Sequence, residues 1–419
     1  MRLVLSLFFL FSFLQLFAEQ KKGLVVHPDH SVTLSFFAPE AKHVAVEGSF
    51  TKKPLQMHLS DGLWTLHLDS LPAEVYTYRY KLGRKEYCLD PNNEYKMRDV
   101  DVMWNYFIVP DSSTQLYMEN PDTPHGRLEN VWYPSTLNGM SQRRMSVYLP
   151  SQYLASDTLA LPVLYLLHGS GGDETSWADC GCVCQILDNM FNQGLAKPCI
   201  VVMPNGNAEL DAAPGESPWM DKKPTAFNPM SMTGMIEKAF VKEIVRFVDR
   251  KYRTLTDRGH RAIAGLSLGG LHTIFISANN PDLFDYVGLF SAQSSNMLED
   301  ERKQLMIARA SRNNNRLRQA WGLIFNFQAD VSDFYTMLNS IEVYGHIDEK
   351  LQTLAKQPPK VYYMAISKND KLLKFNQHYL ARLYAAGIPY EFYLTEGRHS
   401  WENWRRYLVD FLPKLFLDQ

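Results

Sequence analysis

The chain of 419 residues is longer than one typical domain and has room for two packed units behind an export signal. Apolar side chains make up 46 % and aromatic ones 13 %, a composition that buries a sizeable core and excludes disorder over most of the length. With 43 basic and 45 acidic side chains the net charge is only −2, so no strong field gathers nucleic acid or an anionic membrane, and neither is an expected partner.

The first segment, MRLVLSLFFLFSFLQLFAEQ, carries one arginine, an apolar run from Leu3 to Phe17, and Ala18 before the polar Glu19 and Gln20. That is the pattern of a signal peptide, residues 1–18, cleaved near Ala18. The run of about 15 residues falls short of the ~20 that span a bilayer, and no cysteine follows it, so neither a membrane anchor nor a lipoprotein is expected. The mature protein is expected to be free in periplasm or medium.

From residue 19 to 112 apolar and polar positions alternate in short runs: SVTLSFFAP, HVAVEGSF, LWTLHLDSL, VYTYRYKL and NYFIVP. Turn signals at Asp61-Gly62 and Leu82-Gly83 separate them, which predicts a small all-β, immunoglobulin-like sandwich. Tyr76, Tyr78 and Tyr80 share one face at period two and with Trp64 could stack sugars. A packed sheet face explains the same stripe and is the preferred reading, because every sandwich needs one. Residues 113–126, rich in Ser, Pro and Asp, read as a linker.

Residues 127–419 alternate strand-like apolar runs (RRMSVYLP, PVLYLLHG, CIVVMPNG, RAIAGLS, YVGLFSA, KVYYMAI, YEFYLTEG) with segments of helical period. Strands alternating with helices predict a mostly parallel sheet flanked by helices. Phe240, Ile244, Phe247 and Val248 form one apolar helical stripe, and Trp401, Trp404, Leu408 and Phe411 another, both expected to face the core. The stretches Ala208 to Met235 and Ser294 to Lys350 fit neither sheet nor core helix, and are expected as insertions over the sheet's carboxyl edge.

The five cysteines include three in CGCVC, but a zinc site wants a two-residue gap and a matching second half, and neither is present. Small core side chains, with at most one disulfide, are expected rather than a metal centre.

Chemistry concentrates at Gly265-Leu266-Ser267-Leu268-Gly269-Gly270, after the strand RAIA and before the apolar segment LHTIFIS. This is G-x-S-x-G in its strand-turn-helix context. A nucleophile at such a turn adopts strained backbone angles, and flanking glycines remove side chains that would collide with neighbouring backbone. Ser267 is therefore the expected nucleophile. His168-Gly169-Ser170-Gly171-Gly172 ends another strand in a glycine-rich loop, and the N–H groups of Ser170 and Leu268 are the expected oxyanion donors. A phosphate loop would need Lys followed by Ser or Thr, which this loop lacks.

His399 lies on a loop between the last strand and the last helix and is the expected base. His168 is expected to serve its loop through backbone geometry, and His272, inside the helix after the nucleophile, to be packed. Asp370 follows the strand KVYYMAI, 29 residues before His399, and completes the chain order Ser, Asp, His. Asp348 and Glu396 are its rivals; the first precedes the strand and the second is close to the histidine in sequence.

HGSGGDETSW, MPNG, YRTLTDRGHRAIAGLSLGG, SKND and EGRHSWENWRRYL together resemble the esterase D and enterochelin esterase superfamily, specifically the feruloyl and acetyl-xylan esterases of carbohydrate esterase family 1. The resemblance covers nearly all of residues 127–419, and the sandwich resembles the module related to carbohydrate-binding family 48. It implies an α/β-hydrolase fold and a triad of Ser267, Asp370 and His399. Leu268 stands where Met is frequent, which leaves the N–H intact, and SKND replaces the commoner glycine-containing turn.

The resemblance also implies hydrolysis of an ester on plant polysaccharide, with a feruloylated or acetylated polysaccharide or oligosaccharide as partner and no cofactor or metal. Trp177, Trp219 and Met220 are the expected phenolic or sugar contacts. Alternatives are an acetyl-xylan esterase, a siderophore esterase, which export disfavours, an acyltransferase, and a polysaccharide-binding protein on an inactive scaffold, against which the complete Ser, Asp, His set argues.

Overall fold

Short runs of alternating polarity between Leu24 and Val109 close into two antiparallel sheets, because each run has one apolar face to bury. The structure, a computed structural model, describes residues 23–216, 234–294 and 342–417. The expected signal peptide and the middle of both expected insertions lie outside the described residues. Among the described residues no helix is long and apolar enough to cross a membrane.

The chain divides into two compact units after Glu119. In the first, Leu24–Val26, Val32–Phe37, Leu63–Leu68 and His58–Ser60 form one sheet in that order. Leu55–Gln56, Ala45–Gly48, Glu74–Lys81, Val102–Val109 and Lys96–Asp99 form the other, with Tyr87–Cys88 beside Glu74–Lys81. Tyr78, Tyr80 and Trp64 are buried between the sheets, so the aromatic stripe is core and not a stacking platform. The hydroxyls of Tyr78 and Tyr80 both donate to the buried Asp90 carboxylate, at 2.8 and 3.1 Å. Burying those rings therefore leaves neither hydroxyl unsatisfied.

The second unit is built on one eight-stranded sheet: β1 (Arg127–Pro134), β2 (Gln142–Leu149), β3 (Val163–Leu167), β4 (Ile200–Pro204), β5 (Arg261–Leu266), β6 (Tyr286–Phe290), β7 (Val361–Ser367) and β8 (Glu391–Thr395). Their spatial order is β1-β2-β4-β3-β5-β6-β7-β8. β1, β2 and β4 pair antiparallel and every later neighbour is parallel. All residues of β3, β4, β5 and β6 are buried, as expected of strands covered on both faces.

The cover comes from α1 (Val183–Asn192), α2, α3 (Leu268–Asn279), α4 (Ile347–Ala355), α5 (Leu373–Ala386) and α6 (Trp401–Phe411). α2 runs through Met235–Ala239 and Arg246–Lys251, joined by a wider π turn, Phe240–Val245. Its expected stripe is in place: Phe240, Ile244 and Val248 are buried and Phe247 packs beside them. Alternate strand residues serve opposite layers. Tyr362 and Met364 of β7 join the core under α2 to α5, whereas Tyr363 meets Phe411 of α6 at 5.4 Å.

Candidate active site

Ser267 sits between β5 and α3 with φ 51° and ψ −112°, a conformation that a residue with a side chain adopts only when its surroundings over-determine it. The surroundings are three backbone bonds: Ser267 N–H donates to Phe290 O at 2.9 Å, and Ser267 O accepts from Gln293 N–H at 2.7 Å and Leu271 N–H at 3.3 Å. The glycines act by close approach. A Cβ on Gly265 would lie 2.3 Å from Gly269 O, and one on Gly269 would lie 2.4 Å from His168 O. Any larger residue at either position would push strand, elbow and oxyanion loop apart.

β7 and β8 end on the same edge as β5, and their following loops bring two more side chains to the serine. His399 Nε2 accepts from Ser267 Oγ at 3.0 Å, and His399 Nδ1 donates to Asp370 Oδ2 at 2.8 Å. Asp370 is 5 % exposed. Burial alone would raise its carboxyl, but the hydrogen bond and electrostatic attraction of the His399 ring and the Leu372 N–H outweigh burial and hold it below the ordinary value. An ionised Asp370 in turn requires a proton on Nδ1, so Nε2 is the nitrogen left free to take one. The two rivals are engaged elsewhere: Asp348 pairs with Arg382, and Glu396 pairs with Lys368.

The loop after β3, expected to carry an oxyanion donor, departs from expectation in the role of its histidine. His168 serves it through its ring, not through backbone geometry alone. Gly206 N–H donates to His168 Nε2 at 2.7 Å, so Nδ1 carries the proton and donates to Gly169 O at 2.8 Å. Gly172 N–H donates to the same carbonyl at 3.1 Å. Gly169 C=O and Ser170 N–H belong to one trans peptide, so pinning the carbonyl turns the N–H the opposite way. Leu268 opens α3, where its N–H has no intrahelical acceptor. Burial pushes the His168 ring down to about 4, which keeps it neutral.

Glu174, in the same loop, has no sequence signal of its own, yet it ties three segments together. Its carboxylate accepts from Arg144 Nε at 2.6 Å, Asn205 Nδ2 at 2.8 Å and Ala213 N–H at 2.9 Å. Burial, with Asp173 nearby, raises this carboxyl. Beneath the site His272 is packed, as expected, and is also bonded: its Nδ1 lies 2.8 Å from Glu237 Oε1, which accepts from Tyr344 as well.

Trp177 does not meet the expectation of a substrate contact. It is 1 % exposed, its Nε1 donates to Leu167 O at 3.2 Å, and its ring packs on Phe290 and Trp401, because the helical turn Ser176–Asp179 points it into the core. Trp219 and Met220 lie outside the described residues. Cys88, Cys184 and Cys199 are free thiols. Among the described residues no group of three or more His, Cys, Asp or Glu side chains could hold a metal ion.

The Esterase family model matches residues 138–415, more than half of the chain, and the model of carbohydrate-binding module 48, the isoamylase N-terminal domain, matches residues 21–93. An endo-1,4-beta-xylanase/feruloyl esterase of Xylanibacter ruminicola is 33 % identical over 44 % of this chain and 24 % of its own length, so the chain spans about a quarter of that relative. The enterobactin esterase of Shigella flexneri aligns over 96 % of this chain and 98 % of its own at 15 % identity and a TM-score of 0.60. A ferulic acid esterase of Anaeromyces mucronatus aligns over 74 % and 96 % at 21 % identity and a TM-score of 0.51. At those identities the two solved structures share the fold, which is that of the α/β-hydrolases. With its second unit matched almost end to end, the chain belongs to the Esterase family.

Proposed function

We propose that the protein is a secreted serine carboxylic-ester hydrolase that releases acyl groups from plant cell-wall polysaccharide, with ferulate on arabinoxylan as the preferred ester. The observation that carries the reading is the imidazole of His399 within 3.0 Å of Ser267 Oγ and 2.8 Å of Asp370. The feruloyl assignment draws on the Xylanibacter relative, whose name couples a xylanase to a feruloyl esterase. Export draws on the N-terminal pattern of one arginine, an apolar run and Ala18.

In the proposed reaction His399 Nε2 removes the Ser267 proton as Oγ attacks the ester carbonyl. The tetrahedral oxyanion is held by the N–H groups of Ser170 and Leu268. Its collapse expels the sugar alkoxide, which takes the proton from His399 and leaves an acyl-serine. Water, deprotonated by the same nitrogen, then attacks the acyl-serine, and the free acid departs as the proton returns to Ser267. Asp370 stays ionised throughout and stabilises the imidazolium.

The test is a panel of methyl ferulate, a short-acyl nitrophenyl ester, acetylated xylan and a siderophore ester, offered to the native protein and to Ser267→Ala. Ferulate release above that of the alanine variant, and above the other esters, is the expected result. Nitrophenyl turnover without ferulate release would remove the feruloyl reading and keep the hydrolase. No turnover of any ester, with no labelling by a fluorophosphonate, would remove both.

A further inference from the structure

Asp370 and Ser267 hold His399 at its two nitrogens, and an imidazole N–H and lone pair both lie in the ring plane. Such a pair of bonds offers little resistance to rocking of the ring about the line through those atoms. A third contact supplies it. The indole of Trp404 stands at 88° to the imidazole with ring centroids 4.9 Å apart, an edge-to-face arrangement in direct contact.

Trp404 is itself braced. It meets Trp401 at 5.1 Å and 83°; Trp401 meets Trp177 at 5.3 Å and 87°; Trp177 meets Phe290 at 6.2 Å and 74°. Phe290 ends β6 and is the residue whose carbonyl accepts the Ser267 N–H. A line of rings thus runs from the imidazole back to the backbone that fixes the serine. The neighbours of Trp404 on α6 anchor the helix, one to the His399 loop and one to the segment after Ser176–Asp179. Asn403 Nδ2 donates to Arg398 O at 2.7 Å, and Arg405 Nη1 donates to Cys180 O at 2.7 Å.

We propose that Trp404 is a positioning residue, holding the His399 imidazole in the one orientation from which it reaches Asp370 and Ser267 together. This rests on the reading of Ser267, His399 and Asp370 as the reacting set. Ring tilt matters to proton transfer and not to the fit of an ester, so the effect falls on kcat.

The experiment compares the native protein with Trp404→Leu, which keeps apolar bulk without a flat ring, Trp404→Phe, which keeps a ring, and Trp401→Leu, which changes the next ring along. A short-acyl nitrophenyl ester and a fluorophosphonate are the probes, and thermal melting reports folding. For Trp404→Leu, kcat and the fluorophosphonate rate are expected to fall together by about 10- to 100-fold, the cost of a misplaced reacting group, with KM within about threefold. Trp404→Phe restores most of both losses. Trp401→Leu, which removes the brace and leaves Trp404 against the imidazole, melts at a lower temperature and loses less kcat than Trp404→Leu.

The proposal is overturned if folded Trp404→Leu keeps native kcat and labelling rate, if its loss lies in KM alone, or if Trp401→Leu loses as much kcat as Trp404→Leu. It is also overturned if Trp404→Leu fails to melt cooperatively and the folded Trp404→Phe loses kcat by about 10-fold or more, as a retained ring should not. A native protein that the fluorophosphonate does not label would instead sink the hydrolase reading on which the proposal stands.

Discussion

The backbone N–H of Gly206 sits 2.7 Å from Nε2 of His168, and that one contact decides which nitrogen of the ring carries the proton. With Nε2 occupied as an acceptor, Nδ1 must donate to Gly169 O, and the peptide carrying the Ser170 N–H is held in place. The end of β4 and the end of β3 are joined through a histidine that has to stay neutral.

Stability is therefore expected to depend on pH through His168. Its folded value, about 4, is depressed below the ordinary 6.5, so between those values the unfolded chain binds a proton that the folded one refuses. The contribution is intact above about pH 6.5 and is lost as pH falls towards 4, on the order of 3 kcal/mol in all. His168→Gln, with one donor and one acceptor but no titration, is expected to flatten denaturant-derived stability across that window. An unchanged slope would contradict it.

Asp370→Asn is expected to lower kcat by about 10³- to 10⁴-fold, because an amide does not demand the proton on Nδ1 of His399 and cannot stabilise the imidazolium. A separate acid-side effect follows. Asp370 is held below its ordinary value, so its stabilising contribution is present above about pH 3.9, its unfolded value, and disappears as pH drops through the folded one. Melting profiles of the Asn variant should lack that acid limb.

Gly169→Ala is expected to damage the site while leaving the fold cooperative. The added methyl would lie 2.6 Å from Leu266 Cδ1, which can rotate, and 3.2 Å from Ser267 Cβ, which cannot move without releasing its strained backbone. A kcat loss of about 10- to 100-fold with a single thermal transition is the expected outcome. In contrast, Gly265→Ala meets the Gly269 backbone and should abolish soluble folded protein.

Arg144 and Glu174 form a buried pair whose side chains are 5 % and 0 % exposed. Removing Glu174 leaves the buried Arg144 with only the exposed Glu216 as a carboxylate partner and orphans Asn205 Nδ2 and the Ala213 N–H, so Glu174→Leu is expected to cost about 3–5 kcal/mol in urea unfolding. Adding Arg144→Met should recover part of that loss, since the buried guanidinium is then gone and Glu216 is left in solvent. A double variant that is worse by the sum of two single losses would show the pair to be uncoupled.

Much of the candidate site was legible because its signals are local. Ser267 announces itself through Gly265 and Gly269, two residues on either side of it, and Asp370 and His399 through their places after β7 and β8. Glu174, Arg144 and Glu237 carried no such mark. Their partners are 30 or more residues away, and a buried ion pair has no spacing that a reader of the sequence could search for. Trp177 misled for a related reason: its neighbours in the chain suggest a loop near the substrate, while its ring packs on Phe290 and Trp401, more than 100 residues further on.

By itself the sequence determined the strands, the elbow and the order Ser, Asp, His, since periodicity, glycine placement and turn chemistry act over a few neighbouring residues. Tertiary structure alone decided that Tyr78 and Tyr80 face inward to Asp90, that His168 works through its ring, and that Trp404 leans on His399. Each of those outcomes depends on which distant backbone or ring comes within hydrogen-bonding or van der Waals reach, and only the closed sheet sets those distances.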